Sequence, residues 1–226
     1  MNYEDERLRE TVSNFAREMT PIFLLWGELD SDVETARAAM VSNDTQFARR
    51  QFVRATFAKI EGFTSALKQL CLQSSTPTYS AEEIALLREK TFTLNEKGEP
   101  RETANHLKLA QNIQFAFRMY ARFCDVRFSL DTSESEWSDL KLAMAVRNRL
   151  IHPKKPEDLA VSEAEVQAAS RASAWVGAKH TELHELAIDK IAYDRGMTAE
   201  ELREFRALRK RLVSESFRKR RPSENQ

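Results

Sequence analysis

The 226-residue chain contains few of the residues that interrupt regular structure, with five glycines and six prolines. It has only two cysteines, too few for a disulfide framework. No apolar run is long enough to cross a bilayer, and the acidic start MNYEDERLRE lacks the basic-then-apolar order of a signal peptide. We therefore expect a cytoplasmic protein with no membrane partner.

Residue types that bind metals or carry out nucleophilic chemistry are also scarce. Cys71 and Cys124 each lie among apolar residues at helical spacing, which indicates two reduced core thiols. His180 and His184, in HTELH, have the four-residue spacing at which two imidazoles can share a metal, but the sequence offers no third ligand. Core or interface histidines are the preferred interpretation, and we expect no metal and no cofactor.

The net charge of zero hides an asymmetry between the two ends of the chain. Residues 1–45 are rich in Asp and Glu, whereas residues 207–221 are strongly basic. In the tail FRKRRPSENQ, the side chains of Arg218, Lys219, Arg220 and Arg221 could contact RNA phosphates. The alternative is a solvated chain end with no partner.

Apolar residues recur at three- and four-residue steps, and no stretch alternates for long enough to predict a strand, so the sequence predicts an all-α protein. The turn-rich segment NEKGEPRE is expected to be a link. The helix at 104–126 is apolar around more than half of its circumference, which places it centrally or in an interface. Helices are expected at about 5–41 with a break near Pro21 or Asp30, and at 45–73, 81–91, 104–126, 133–152, 162–195 and 199–217.

The segment AVRNRLIHPKKPEDL, residues 145–159, places an arginine and a histidine at the end of an apolar helix. At about 100 degrees per residue, Arg147 falls within the apolar stripe of this helix, while Asn148 and His152 share one flank and Arg149 points away. The helix must end by His152 because Pro153 disfavours helical geometry in the residue before it. The stripe consists of Leu140, Ala143, Met144, Leu150 and Ile151.

A guanidinium on an apolar face needs a partner, because burying it alone is costly. Arg147 must either pair with an acid, for which Glu61 at the edge of the helix at 45–73 is the candidate, or reach a cleft that binds an anion. Arg147, Asn148 and His152 together suit phosphate chemistry, since they combine a permanent cation, an orienting amide and a group that titrates near neutral pH.

RNRLIH, residues 147–152, resembles the R-x4-6-H signature of the HEPN superfamily. The preceding WSDLKLAMAV, the following HPKKPEDLAVSEAEV and the order of the upstream helices are similar to HEPN domains as well. The resemblance covers residues 45–195 and implies a HEPN-like up-and-down helical bundle. Residues 1–44 would then be an N-terminal helical extension, and residues 196–226 a C-terminal helix and basic tail.

The resemblance implies a metal-independent endoribonuclease that acts as a homodimer on RNA, as a toxin or antiviral defence effector. His152 would transfer protons, Arg147 would stabilise the five-coordinate phosphate, and Asn148 would orient the reacting groups. Arg147 and His152 point about 140 degrees apart on the helix, so a second copy could supply the missing group, which favours a dimer independently.

Two further expectations concern partners and the alternative function. Some HEPN toxins carry a tyrosine, modified by a partner nucleotidyltransferase, shortly after the histidine, whereas Pro153 and Lys154 stand here. That antitoxin mechanism is therefore not inferred, although an antitoxin or regulatory protein stays a candidate partner. The alternative function is a non-catalytic HEPN module that binds RNA or a partner protein.

Overall fold

The computed structural model describes residues 3–73, 77–194, 196–204 and 206–207, and it is mostly helical. This confirms the all-α class in its coarse form. The backbone is helical again at 199–204 and 206–207. The elements, in chain order, are α1 (Tyr3–Ser42), α2 (Gln46–Cys71), α3 (Ala81–Leu87), β1 (Lys90–Leu94), β2 (Pro100–Ala104), α4 (Leu109–Phe123), α5 (Ser135–Ile151), a 3-10 helix (Pro156–Leu159) and α6 (Glu163–Asp194).

A β-hairpin occupies the segment in which the sequence predicted only a turn-rich link. Strands β1 and β2 pair antiparallel, with Lys90 opposite Ala104 and Leu94 opposite Pro100. The Asn95 side-chain oxygen accepts hydrogen bonds from the backbone N–H groups of Lys97 and Glu99, both at 2.9 Å, and this fixes the turn. The alternation in KTFTL is typical of a strand. It spans only five residues that are largely exposed, so it is too short a pattern to predict a strand from the sequence.

Helix α1 is continuous, and the predicted break near Pro21 or Asp30 is wrong, since the backbone is helical through both positions. The helix continues through both positions because most helical stability in proteins comes from an apolar face that packs on a neighbouring element. Ile22, Trp26 and Val33 of α1 belong to the same core as α2.

Helix α1 approaches α2 closely at Gly62. A methyl group at Gly62 would lie 2.5 Å from Cδ1 of Leu29, so an alanine here would require the end of the Leu29 side chain to move.

The core is built around α2, which packs against α1, α4, α5 and α6. Its predicted apolar stripe is confirmed, since all of the members are buried: Val53, Phe57, Ile60, Phe63, Leu67, Leu70 and Cys71. The wide apolar surface of α4 is also buried within the single chain, at Ile113, Ala116, Phe117, Met119, Tyr120 and Ala121.

The two cysteines are free thiols in this core, as predicted. Burial raises the pKa of Cys71 to about 11 and that of Cys124 to about 12, so both stay protonated and unreactive at neutral pH. None of the described helices is both long and apolar enough to span a membrane.

Candidate functional site

The RNRLIH motif lies on the last turns of α5, which packs between α2 and α6. The buried face of α5 differs in phase from the predicted stripe. Val146 is buried, whereas Ile151 is 45% exposed and Met144 only partly buried. Arg147 still falls within this face, between Leu140 and Ala143 around the helix, as the helical stepping predicted, and its side chain is 27% exposed. The buried residues are Trp137, Leu140, Ala143, Val146 and Leu150.

The guanidinium of Arg147 forms an ion pair with Glu61 of α2, with Nη2 2.6 Å from Oε1. Glu61 is the candidate partner that the sequence predicted for Arg147. Nη1 of Arg147 donates a hydrogen bond to Oδ1 of Asn148 at 3.2 Å. The side chains of Arg147 and Glu61 are 27% and 40% exposed, so solvent reaches the pair. The pair thus joins α2 to α5 at the rim of the core, where an anion could contact the arginine.

His152 caps the C-terminus of α5 and is exposed. Its backbone N–H donates to the carbonyl of Asn148 at 3.0 Å, and the helix ends at Ile151, directly before it, as Pro153 predicts. The imidazole has no hydrogen bond to any other side chain that the structure describes. Both ring nitrogens are therefore left accessible to a bound molecule or to water.

Asp158 fixes the loop that follows His152. Its Oδ2 accepts hydrogen bonds from the backbone N–H groups of Lys154 at 2.8 Å and Lys155 at 3.2 Å. The bond from Lys154 is the main cause that lowers the pKa of Asp158, so the carboxylate stays charged and the loop stays closed at neutral pH. The side chains of Lys154 and Lys155 remain exposed beside the histidine.

The helical stepping predicted that Arg149 points away into solvent, and this is wrong. Its Nη2 lies 2.9 Å from Oε2 of Glu165 in α6, and it also donates to the carbonyl of Ala160. Arg149 therefore ties α5 to the start of α6, which is a structural role that the sequence pattern did not show.

A basic edge of α2 also belongs to this site and was missed from the sequence. Arg50 Nη1 donates to the carbonyl of Leu159 at 3.2 Å, and Glu61 contacts Arg147, so both ends of this edge face the segment that contains the motif. Arg54 lies one turn after Arg50 and two turns before Glu61, which places it on the same side of α2. The spacing of Arg50, Arg54 and Glu61 was the signal that could have identified this edge.

Arg54 is exposed, and it makes no ion pair with the rest of the described chain. Lys154 and Lys155 are exposed in the loop after the motif, where the charge of Lys155 helps to lower the pKa of Asp158. Exposed cations of this kind are the groups that contact phosphates in nucleic-acid-binding proteins.

Arg218, Lys219, Arg220 and Arg221 fall outside the described residues, so the RNA-binding prediction for the tail stays a prediction.

The HTELH histidines lie in the core, as the preferred interpretation of the sequence had it. The ring of His180 packs edge-on against Trp26, with centroids 4.1 Å apart, and His184 is buried one turn later. Among the described residues, no group of three or more His, Cys, Asp or Glu side chains is placed to hold a metal ion.

Comparison with known proteins gives no match: no protein-family model fits the sequence, and no curated protein or solved structure is similar enough to match it. The geometry of this site is therefore the basis for assigning a function.

Proposed function

We propose that the chain is a metal-independent endoribonuclease of the HEPN type, which cleaves RNA through attack of a ribose 2'-hydroxyl on the adjacent phosphate. The observation that carries the proposal is the exposed imidazole of His152, which has no described side-chain partner and follows the solvent-accessible Arg147–Asn148 pair at the end of α5.

The proposed chemistry needs a proton acceptor, a proton donor and a fixed positive charge. His152 takes the proton from the 2'-hydroxyl or returns one to the departing 5'-oxygen. The 2'-oxygen forms a bond to phosphorus as the bond to the 5'-oxygen breaks, leaving a 2',3'-cyclic phosphate. Arg147 stabilises the negative charge on the five-coordinate phosphate, and Asn148 orients the guanidinium through the hydrogen bond at 3.2 Å.

Glu61 has a supporting role in this scheme. Ion pairs that solvent reaches contribute about 0.2–1 kcal/mol to stability, so the pair does little to hold the fold together. Its ion-pair contact with Nη2 at 2.6 Å instead holds the Arg147 side chain beside α2. The remaining donors of the guanidinium can then face a phosphate.

A homodimer is part of the proposal, because Arg147 and His152 point about 140 degrees apart on one helix. The exposed face of α5 supports it. Ile151, which is 45% exposed, lies within about 60 degrees of Asn148 around the helix. This apolar side chain is suited to contact the same helix of a second copy across a two-fold axis. The apolar surface of α4 gives no such support, since it is buried within one chain.

The second candidate is a non-catalytic module that binds RNA or a partner protein, and the Arg147–Glu61 ion pair is the observation that favours it. An arginine already paired with a carboxylate has part of its charge neutralised. In that case the exposed Arg54, Lys154 and Lys155 would bind a phosphate backbone, and no turnover would follow.

The test is cleavage of single-stranded RNA in EDTA, with the ends of the products identified as cyclic phosphate or 3'-phosphate. We expect His152→Ala to slow cleavage roughly a hundredfold or more, with little loss of RNA affinity. His106→Ala, at an exposed histidine ahead of α4, is the matched control and should cut at the wild-type rate.

Two further variants separate the roles of the ion pair. Glu61→Gln and Arg147→Gln remove the same pair and should lower stability equally, whereas Arg147→Gln should reduce cleavage far more. If wild type cuts none of a varied set of RNAs, or if His152→Ala cuts as fast as wild type, the nuclease assignment is wrong.

A further inference from the structure

A second feature of the molecule that could bind RNA is a groove beside the C-terminal half of α4, formed with the segment 125–132 that leads to α5. Two hollows of about 730 Å³ and about 370 Å³ share Arg118, Phe128 and Ser129 in their walls, so they lie next to each other. We refer to the two hollows together as the α4 groove. Its other polar walls include Gln111, Gln114 and Thr132.

The charges that line the α4 groove leave a net positive surface. Arg122 is held by Glu83 at 2.8 Å and also donates to the carbonyl of Thr78. Asp125 is paired with Lys190 at 3.0 Å. These contacts occupy the charged groups that lie at the end of α4.

Two arginines in the α4 groove have no acidic partner among the residues that the structure describes. Arg118 and Arg127 line the groove, and neither makes an ion pair with another residue that the structure describes. The carbonyl groups at the C-terminus of α4 disfavour an anion nearby, so attraction of a phosphate depends on these two guanidinium groups.

Aromatic rings lie beside the two arginines. The Arg118 guanidinium lies over the ring of Phe115, 5.7 Å from its centroid, which leaves its N–H edge accessible. Phe128 stacks on the buried Phe117 with centroids 5.9 Å apart and is therefore rigidly placed in the wall. A supported ring next to unpaired arginines is the combination by which proteins bind single-stranded nucleic acid, through base stacking and phosphate contacts.

We propose that the α4 groove binds single-stranded RNA, with Arg118 and Arg127 on phosphates and the aromatic wall against a base. This inference rests on the proposed function for the identity of the polymer. Helix α5 separates the groove from the motif, since its 17 residues extend about 26 Å from Ser135 to Ile151. The groove is thus a binding site distinct from the residues at His152, and it would hold a different stretch of the same strand.

The test measures RNA binding apart from cleavage. Every protein in it carries His152→Ala, so that the RNA stays intact, and a labelled single-stranded RNA is titrated by fluorescence anisotropy at several salt concentrations. The variant Arg118→Gln/Arg127→Gln should bind roughly tenfold more weakly, with a salt slope reduced by about 1.4. The control Lys97→Gln/Arg101→Gln removes two positive charges from the exposed hairpin and should keep the affinity and slope of its parent.

A second measurement locates the contact and its ligand. Ultraviolet cross-linking should attach the RNA to the peptide that contains Phe115 or Phe128. A duplex of the same sequence should compete poorly, because its bases are not accessible for stacking. Efficient competition by inorganic phosphate alone, or by duplex, would overturn the assignment to single-stranded RNA.

The outcomes separate this inference from the proposed function. If wild type cuts RNA but the groove variant binds it as tightly as its parent, the groove proposal fails and the nuclease assignment stands. If the groove variant loses affinity but wild type never cuts RNA, the groove proposal stands and the nuclease assignment fails. An equal loss in the hairpin control would show a general charge effect, and this would also refute the groove proposal.

Discussion

Acid sensitivity of the fold is expected from one buried histidine, His180. Its ring packs against Trp26 of α1 and Phe63 of α2, with centroids 4.1 Å and 5.4 Å away, and its Nε2 has no hydrogen-bond partner in the described part of the chain. Burial, and secondly the neighbouring His184, lowers the pKa of His180 from 6.5 to about 3. The folded protein therefore keeps this imidazole neutral at pH values where the unfolded chain protonates it.

The sign and size of the effect follow from proton linkage. Between pH 6.5 and pH 3 the unfolded state binds the extra proton, so the free energy of unfolding falls as the pH falls. Each pH unit in this window costs about 1.4 kcal/mol, and the change from pH 7 to pH 5 amounts to about 2 kcal/mol. This is a large fraction of the stability of an ordinary domain.

The assay is urea unfolding followed by circular dichroism at pH 7, 6 and 5. In this range carboxylates contribute little, because their unfolded pKa values lie near 4. His180→Leu should remove about 2 kcal/mol of the difference in unfolding free energy between pH 7 and pH 5. His106→Ala, at an exposed histidine, should keep the wild-type difference. An unchanged difference in His180→Leu would show that His180 is protonated in the folded state, and the argument from burial would be wrong.

Two more predictions concern assembly and the tail. We expect a two-fold homodimer at micromolar concentration that brings the two copies of the RNRLIH motif together. Light scattering should give twice the mass of one chain, Ile151→Asp should yield the single chain, and a wild-type mass of one chain would contradict the proposal. Deleting residues 218–226 should weaken RNA binding evenly across sequences and reduce the salt slope by as much as about 2.8, since four basic side chains are lost. A binding curve with an unchanged salt slope would show that the tail contacts no phosphates.

Helical periodicity predicted the parts of the fold in which one face of a helix is buried. The stripe of α2 was predicted residue by residue, because its members repeat at three- and four-residue steps over 26 residues. Glu61, at the edge of that stripe, was identified as the partner of Arg147 for the same reason, since an acid at the rim of the core is placed to meet a half-buried arginine. The end of α5 was fixed by the local effect of Pro153.

Features that depend on distant contacts could not be predicted in this way. The hairpin strands are five residues long and mostly exposed, so burial imposes no clear alternation on them. Helical stepping along α5 assigned Ile151 to the core and left out Val146. The structure buries Val146 because α5 packs against α6 as well as α2, so its buried face is wide. The contact of Arg149 with Glu165 joins two helices, and the sequence around Arg149 does not show it.

The two arginines near the end of α5 differ in the contacts that they make. Arg149 has the contacts expected of a structural arginine, since it reaches a carboxylate in α6 and a backbone carbonyl in the connecting loop. Arg147, two residues earlier, is held by a glutamate that is 40% exposed. His152 has no described side-chain partner at all. The buried face of α5 is complete without Arg147 and His152, so replacing them should cost the fold little. Arg147 and His152 are therefore the groups on which the nuclease proposal depends, and cleavage by their variants decides between a catalytic and a structural role.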